Sequence, residues 1–206
     1  MARYTGPKCR LCRREGQKLF LKGAKCYSDK CPLTRRNYPP GMHRGGWGRL
    51  TPYGLRLREK QKLKRIYGVL ERQFRRYVEL AQKAKGVTGD FLLELLERRL
   101  DNVLYRGGLA QSRAQARQLV SHGHVYVNGR RVDVPSFLVR PGDVITFKPS
   151  SLEKKGIQAL LNEKPLHSIP SWLERTDGQL RVLDRPKVDE IEHDIQMNLI
   201  VEFYSR

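Results

Sequence analysis

The chain has 206 residues, enough for one sizeable core or two small ones, and carries 41 Lys and Arg against 21 Asp and Glu, a net charge of +20. That excess favours a polyanionic partner, because each neutralised phosphate releases condensed counterions. No apolar run approaches the length needed to span a bilayer, and the N-terminal MARYTGPKC has no apolar signal core, so a cytoplasmic protein without membrane attachment is expected. The charge is uneven: residues 1–85 sum to +19, whereas residues 151–206 sum to −2. The basic footprint is therefore expected in the first part of the chain, and a packing role in the last quarter.

All four cysteines fall in the first 31 residues, as Cys9-x2-Cys12 and Cys26-x4-Cys31. Two close thiol pairs in a chain of this kind point to metal rather than to disulfides, and they supply the four donors of a closed structural site. Lys8, Arg10, Arg13, Arg14, Lys25 and Lys30 surround them and offset thiolate charge. Spacing alone leaves zinc and an iron–sulfur cluster both open. Between the pairs, Leu19, Phe20 and Leu21 form a small apolar patch, too little to fold such a module without metal.

Residues 33–50 have no hydrophobic period and contain Pro39-Pro40-Gly41 and Gly45-Gly46, so an extended segment or loop is expected. Arg35, Arg36, Arg44 and Arg49 supply phosphate-binding charge there, and Tyr38 and Trp47 supply ring faces for bases. Arg3 adds to the same basic extension.

Thr51-Pro52 is a helix start, and the pattern predicts a helix to about Tyr67 and a second from about Leu70 to Lys85. Phe74, Val78 and Ala81 mark the inner face of the second. Arg56, Arg58, Lys60, Lys62, Lys64 and Arg65 crowd the first, with few acids interleaved. Mutual repulsion along such a run favours a polyanion partner over a merely solvated face.

Residues 92–147 carry the most informative pattern. Leu92, Leu93, Leu96, Leu100, Val103 and Leu104 form an apolar stripe that stops at Gly107-Gly108. Ser112 with Gln115 predicts a capping box opening a second helix, closed by Gly123. Arg113 and Arg117 are four apart near its N-terminus, where phosphate is favoured, and Arg98, Arg99 and Arg106 extend the set. Asn128-Gly129 predicts a hairpin with Arg130 and Arg131 on its return arm; Phe137 and Val139 suggest a further strand, and Val144–Phe147 another. Composition leaves two readings of this α+β unit: an RNA grip, or a protein-binding module with exposed arginines.

Arg99-Leu100-Asp101-Asn102-Val103, Tyr105-Arg106, Ser112-Arg113, Ala116-Arg117-Gln118-Leu119-Val120, His122-Gly123-His124, Val127-Asn128-Gly129, Pro135-Ser136 and Pro141-Gly142-Asp143 together resemble the S-four RNA-binding domain. Met1-Ala2-Arg3-Tyr4, Pro39-Pro40-Gly41, Leu57 to Lys62 and the closing Glu202-Phe203-Tyr204-Ser205-Arg206 are similar to the bacterial small-subunit ribosomal protein S-four family, in its four-cysteine metal-binding form. Met42 and the run Arg44-Gly45-Gly46-Trp47 depart from the family pattern.

The resemblance implies a structural constituent of the small ribosomal subunit that binds 16S rRNA, nucleates early 30S assembly and contributes to accuracy near the mRNA entry side. It implies S-three and S-five as neighbours, mRNA close by, and no obligate homo-oligomer. It also implies an α+β architecture: a cysteine knuckle and basic extension over residues 1–50, a helical domain over 51–91 and about 185–206, and an inserted S-four-type domain over 92–184. Helical residues are expected at 151–164 and a strand at Gln179–Leu183, while periodicity leaves the type of residues 194–204 open.

Catalytic constellations are missing: there is no Walker loop, no Gly-x-Ser-x-Gly and no His-Glu-x-x-His, so no enzyme is expected. An RNA-modifying enzyme would need a further catalytic domain for which residues 148–206 are too short. A DNA-binding zinc regulator would need a groove-reading helix and dimer symmetry, which the pattern does not supply.

Overall fold

A computed structural model describes residues 3–42, 50–191 and 195–205. It divides into two units, one of residues 1–92 with 192–206 and one of residues 93–191. The first unit is thus built from two separated stretches of chain, and the second is contributed by the stretch between them.

The first unit opens with α1 (Lys8–Glu15), ended by Gly16 at φ 67°, and continues through a single 3-10 turn at Gly23–Cys26 to the short α2 (Pro32–Arg35). Leu19 is fully buried, and the Phe20 and Tyr27 rings lie 4.9 Å apart. Helix α3 (Pro52–Ile66) starts as its sequence directs: Thr51 Oγ1 accepts the Gly54 N–H at 3.1 Å and Pro52 occupies the first turn. Gly68, at φ 62°, ends the run, and α4 (Glu71–Lys83) follows. Phe74, Tyr77, Val78 and Ala81 bury one stripe of α4, the i, i+3, i+4, i+7 spacing of an amphipathic helix.

The C-terminal segment settles as a helix, α10 (Met197–Tyr204), numbered in chain order after the elements given below. It packs on α3 and α4: Phe203 lies 5.8 Å from the Tyr53 ring, Tyr204 lies 6.1 Å from Phe74, and Ile200 is fully buried. Leu199-Ile200-Val201 has both β-branched and helical character, so packing rather than propensity decides its state.

The apolar stripe leading into the second unit is two helices, not one: α5 (Thr88–Glu97) and α6 (Leu100–Arg106). Arg99 between them is extended (φ −65°, ψ 134°), and the neighbouring backbone bonds elsewhere. Leu100 N–H donates to Phe137 O at 2.8 Å, and Val139 N–H to Arg98 O at 2.9 Å. This pairing also corrects the strand expected at Phe137 and Val139. Among the described residues the segment forms one isolated bridge, Arg99 with Leu138, and no strand.

Helix α7 (Arg113–Ser121) is capped by Ser112 Oγ, which accepts the Gln115 N–H at 3.3 Å. The return arm of the box differs by one residue, because Gln115 Oε1 accepts the Gln111 N–H at 2.8 Å. Strands β1 (Val125–Val127) and β2 (Arg130–Arg131) flank Asn128 and Gly129 at φ 50° and 76°, the left-handed pair that a two-residue hairpin requires. β3 (Val144–Phe147), α8 (Pro149–Leu152), α9 (Lys155–Asn162), β4 (Leu173–Thr176) and β5 (Gln179–Val182) complete the unit. The five strands form one antiparallel sheet in the order β2-β1-β3-β5-β4. Val125, Val127, Ile145, Phe147, Leu180 and Val182 point their side chains to one face, where Leu100, Val103, Leu104, Val120 and Trp172 close the core. Strand β4 and the Asp177-Gly178 hairpin that joins it to β5 are additions to what the sequence pattern predicted.

Candidate nucleic-acid interface

The six cations of α3 each have an acid partner, and three of the four acids come from other elements. Arg58 lies 3.5 Å from Glu15, and Arg65 also pairs with Glu15. Lys60 and Lys64 both reach Glu71, at 2.8 and 2.7 Å; Arg56 reaches Glu202 at 2.6 Å, and Lys62 reaches Glu59 at 2.8 Å. Lys60 and Lys62 are buried, and the Lys60 ammonium also sits 4.6 Å from the centre of the Phe203 ring. The expectation of a basic face with few acids near it is therefore corrected: the helix is a hub to which α1, α4 and α10 are tied, and Lys60 and Lys62 are buried in it. The Glu15 carboxylate is almost fully enclosed, and burial pushes its pKa up despite Arg65 and Arg58. Burial likewise lowers Arg65 against the pull of Glu15, so desolvation outweighs attraction on both sides of this pair. Glu71 is the opposite case. Burial raises it, but hydrogen bonds from Lys60, Lys64 and Tyr204 prevail and hold its pKa at about 2.

The exposed charge of this unit lies elsewhere. Arg3, Arg10, Arg14, Arg35 and Arg36 are exposed around the cysteine module, as are Lys22, Lys25 and Lys30. Arg13 is half-buried: its guanidinium lies 4.7 Å from the Tyr38 ring centre and its Nε donates to Tyr38 O at 3.0 Å. Tyr38 thus has one ring face covered by Arg13 and is half-buried itself. Arg44 and Arg49, with Trp47, lie outside the described residues. The solvent side of α4 carries Arg72, Arg76 and Lys83, three exposed cations that motif reading passed over. Among the described residues no carboxylate pairs with them, whereas Arg75 pairs with Glu79 at 3.2 Å. The missed signal was the helical period itself: positions 72, 76 and 83 share a stripe opposite Phe74 and Ala81.

In the second unit most of the predicted arginines face inward. Arg99 donates to both carboxylate oxygens of Asp101, at 3.0 and 2.8 Å, and is 1% exposed. Arg106 Nε lies 3.2 Å from Glu97 and its Nη2 donates to Glu190 O at 2.7 Å. Arg113 donates to Asn102 Oδ1 at 2.7 Å and lies over the Tyr105 ring at 4.5 Å. Asn102 in turn donates to Glu97, so α5, α6 and α7 are joined by one buried polar network. Arg117 reaches Asp101 at 3.5 Å, and Arg98 bonds Val139 O and Glu94, both at 2.9 Å. Arg99, Arg106 and Arg113 are thus buried and engaged inside the protein, where a desolvated guanidinium is held by a carboxylate or amide. Arg130 and Arg131 remain exposed on the hairpin, with Arg131 3.7 Å from Asp133.

The four cysteines are free thiols; Cys12, Cys26 and Cys31 are buried and Cys9 is half-exposed. The Lys22 N–H donates to Cys26 Sγ at 3.3 Å, a bond suited to a thiolate. Cys12 is pushed up to about 11 by burial, with Cys26, Cys9 and Cys31 all adding to the shift, so the sulfurs share one neighbourhood. They are not drawn into a tighter shell: among the described residues no three His, Cys, Asp or Glu side chains form a metal-holding group. The donor chemistry of four thiols fits a metal.

Among the described residues no helix is long and apolar enough to cross a membrane. The family described as ribosomal protein S4/S9 N-terminal domain matches residues 3–97, and the S4 domain matches residues 98–145. The chain is 60% identical over 208 residues to a small ribosomal subunit protein uS4 of Dictyoglomus turgidum, with all of both chains covered. Proteins of the same name from a Thermoanaerobacter species and from Halothermothrix orenii are 58% and 54% identical, again over the full length of both chains.

Proposed function

The chain belongs to the ribosomal protein S4 family and is a structural constituent of the small ribosomal subunit, and from that premise we propose that it binds 16S rRNA directly through its exposed rather than its ion-paired cations. The observation that carries this reading is the contrast between α3, whose cations all have carboxylate partners, and α4 with the cysteine module, where Arg72, Arg76, Lys83, Arg10, Arg14, Arg35 and Arg36 are solvent-exposed. Phosphate contacts of this kind position a protein on folded RNA without reading its sequence. Family membership supports the finer roles proposed with it: nucleation of early 30S assembly, a place near the mRNA entry side beside S-three and S-five, and a contribution to translational accuracy. No catalytic step is assigned to the chain, and it acts without an obligate second copy.

We also propose that Cys9, Cys12, Cys26 and Cys31 hold one structural metal, zinc or an iron–sulfur cluster. It would supply folding energy to a module whose apolar patch is small, and Lys22 N–H would stabilise the bound Cys26 thiolate. Crosslinking of the full-length chain in cells, followed by sequencing of the bound RNA, tests the main reading. A dominant 16S rRNA site is expected, and a dominant non-ribosomal RNA would contradict it. Metal analysis of the purified chain is expected to give one zinc, or iron with sulfide, per four thiols; finding neither would remove the metal site.

A further inference from the structure

Around Gly123, at the end of α7, the fold gathers the two histidines of the His122-Gly123-His124 motif with cations from three other segments. His122 and His124 flank the glycine with ring centres 6.2 Å apart. Gly123 sits at φ 72°, and Arg131 covers it so closely that a Cβ there would lie 2.6 Å from the guanidinium Nε. Lys148 N–H donates to His124 O at 2.9 Å, which brings the end of β3 alongside. Ser151, buried in α8, is 2.9 Å from His124 Nδ1 through its Oγ and leaves Nε2 as the second nitrogen of that ring. His122, Arg131, Lys148 and Lys154 are exposed, and His124 is half-exposed.

We propose that this cluster is a phosphate site for the RNA backbone whose grip is linked to proton uptake by His124. The inference deepens the rRNA-binding reading and rests on it. The groups acting on His124 are all cationic or titrate to a cation: Lys154 from the segment after α8, His122 from α7 and Lys148 from the end of β3. Arg131 lies 3.7 Å from the Asp133 carboxylate. Burial and these neighbours depress His124, so the free protein holds a neutral imidazole near neutral pH. A phosphate seated among Lys148, Lys154 and Arg131 reverses the local potential and favours the imidazolium. By reciprocity, a proton that binds more readily in the complex tightens the complex. Fixed ring orientation through Ser151 makes the second nitrogen a directed donor once the ring is charged.

The test is the affinity of the full-length chain for its 16S rRNA fragment at constant salt between pH 7.5 and pH 5.5. If one imidazole rises by about one pKa unit on binding, wild type binds roughly fivefold more tightly at the lower pH. The His122→Gln/His124→Gln variant is expected to change by less than about twofold over the same range, after the small RNA-borne component shared by both proteins. An NMR titration of the histidine ring protons in the wild-type protein, free and RNA-bound, needs no variant to fold and is expected to show the upward shift directly. An equal pH response in the double variant, or imidazole titrations unmoved by RNA, would overturn the inference while leaving rRNA binding intact. No salt-dependent binding by wild type at pH 7.5 would instead overturn the rRNA reading and this inference with it.

Discussion

Helix α3 in the first unit and helices α6 and α7 in the other resemble each other in sequence, all studded with arginine or lysine, yet they use that charge differently. The α3 cations meet mainly acids of other elements, and two of these acids stay open to water: Glu202 is 52% exposed and Glu71 is 47% exposed as side chains, whereas Glu15 is enclosed. The α6 and α7 arginines meet Asp101, Glu97 and Asn102 inside the protein, where both members of the Arg99–Asp101 pair are under 5% exposed. Exposed pairs gain little because water competes for both charges, so the Glu202 and Glu71 pairs orient neighbouring elements more than they stabilise them. Buried pairs are costly to assemble and costlier to break, so the α6–α7 network ties stability to one side-chain arrangement.

That difference is open to a graded set of substitutions. Asp101→Ala strands the buried Arg99 and is expected to destabilise the second unit by about 3–5 kcal/mol, read as a lower urea midpoint. A nearly unchanged midpoint would mean that the pair is solvated after all. Replacing both partners together, Arg99→Met with Asp101→Leu, should recover much of that loss. Next in size, Arg113→Ala with Arg117→Ala leaves Asn102 and Asp101 short of donors and should cost about 1–3 kcal/mol. On the sequence expectation the same variant would chiefly flatten the salt dependence of RNA binding, so measuring both midpoint and salt slope separates the two accounts.

The first unit should respond more weakly. The pKa of Glu71 is about 2 in the folded protein, below its ordinary 4.5, so its contribution is present above about pH 4.5 and is lost as pH falls toward 2. Because the side chain is half-exposed, screening keeps that contribution under about 1 kcal/mol. Glu71→Gln should therefore flatten acid unfolding between pH 5 and pH 2, and an unaltered acid limb would contradict the assignment. Arg56→Ala, at the exposed Glu202, should shift stability by less than about 0.5 kcal/mol.

Local chemistry was the legible part of the sequence. Thr51-Pro52, the stripe through Phe74 and Ala81, the Ser112 cap and Asn128-Gly129 act within a few residues and appear where they were expected. The α+β fold class and the inserted S4 domain followed from the motif run between Arg99 and Asp143. What stayed hidden depends on distant partners. Glu15 meets Arg58 across 43 residues and Glu202 meets Arg56 across 146, so no local window could tell a paired cation from an exposed one. The break between α5 and α6 has the same origin, since backbone groups of the Phe137 segment complete the bonds that a continuous helix would have made. Strand β4 escaped notice because Leu173-Glu174-Arg175-Thr176 is short and polar, although Asp177-Gly178 is a hairpin signal.

The central claim, that exposure rather than cation density decides which residues meet rRNA, is tested most directly by salt slopes of 16S fragment binding. Arg72→Ala/Arg76→Ala/Lys83→Ala on α4 should be compared with Lys60→Met/Lys62→Met on α3. Each lost phosphate contact lowers the slope of log affinity against log salt by about one unit, so the α4 triple variant should lose up to about three. The α3 variant should keep the wild-type slope under conditions where it remains folded. A slope that falls for α3 and stays unchanged for α4 would contradict the account.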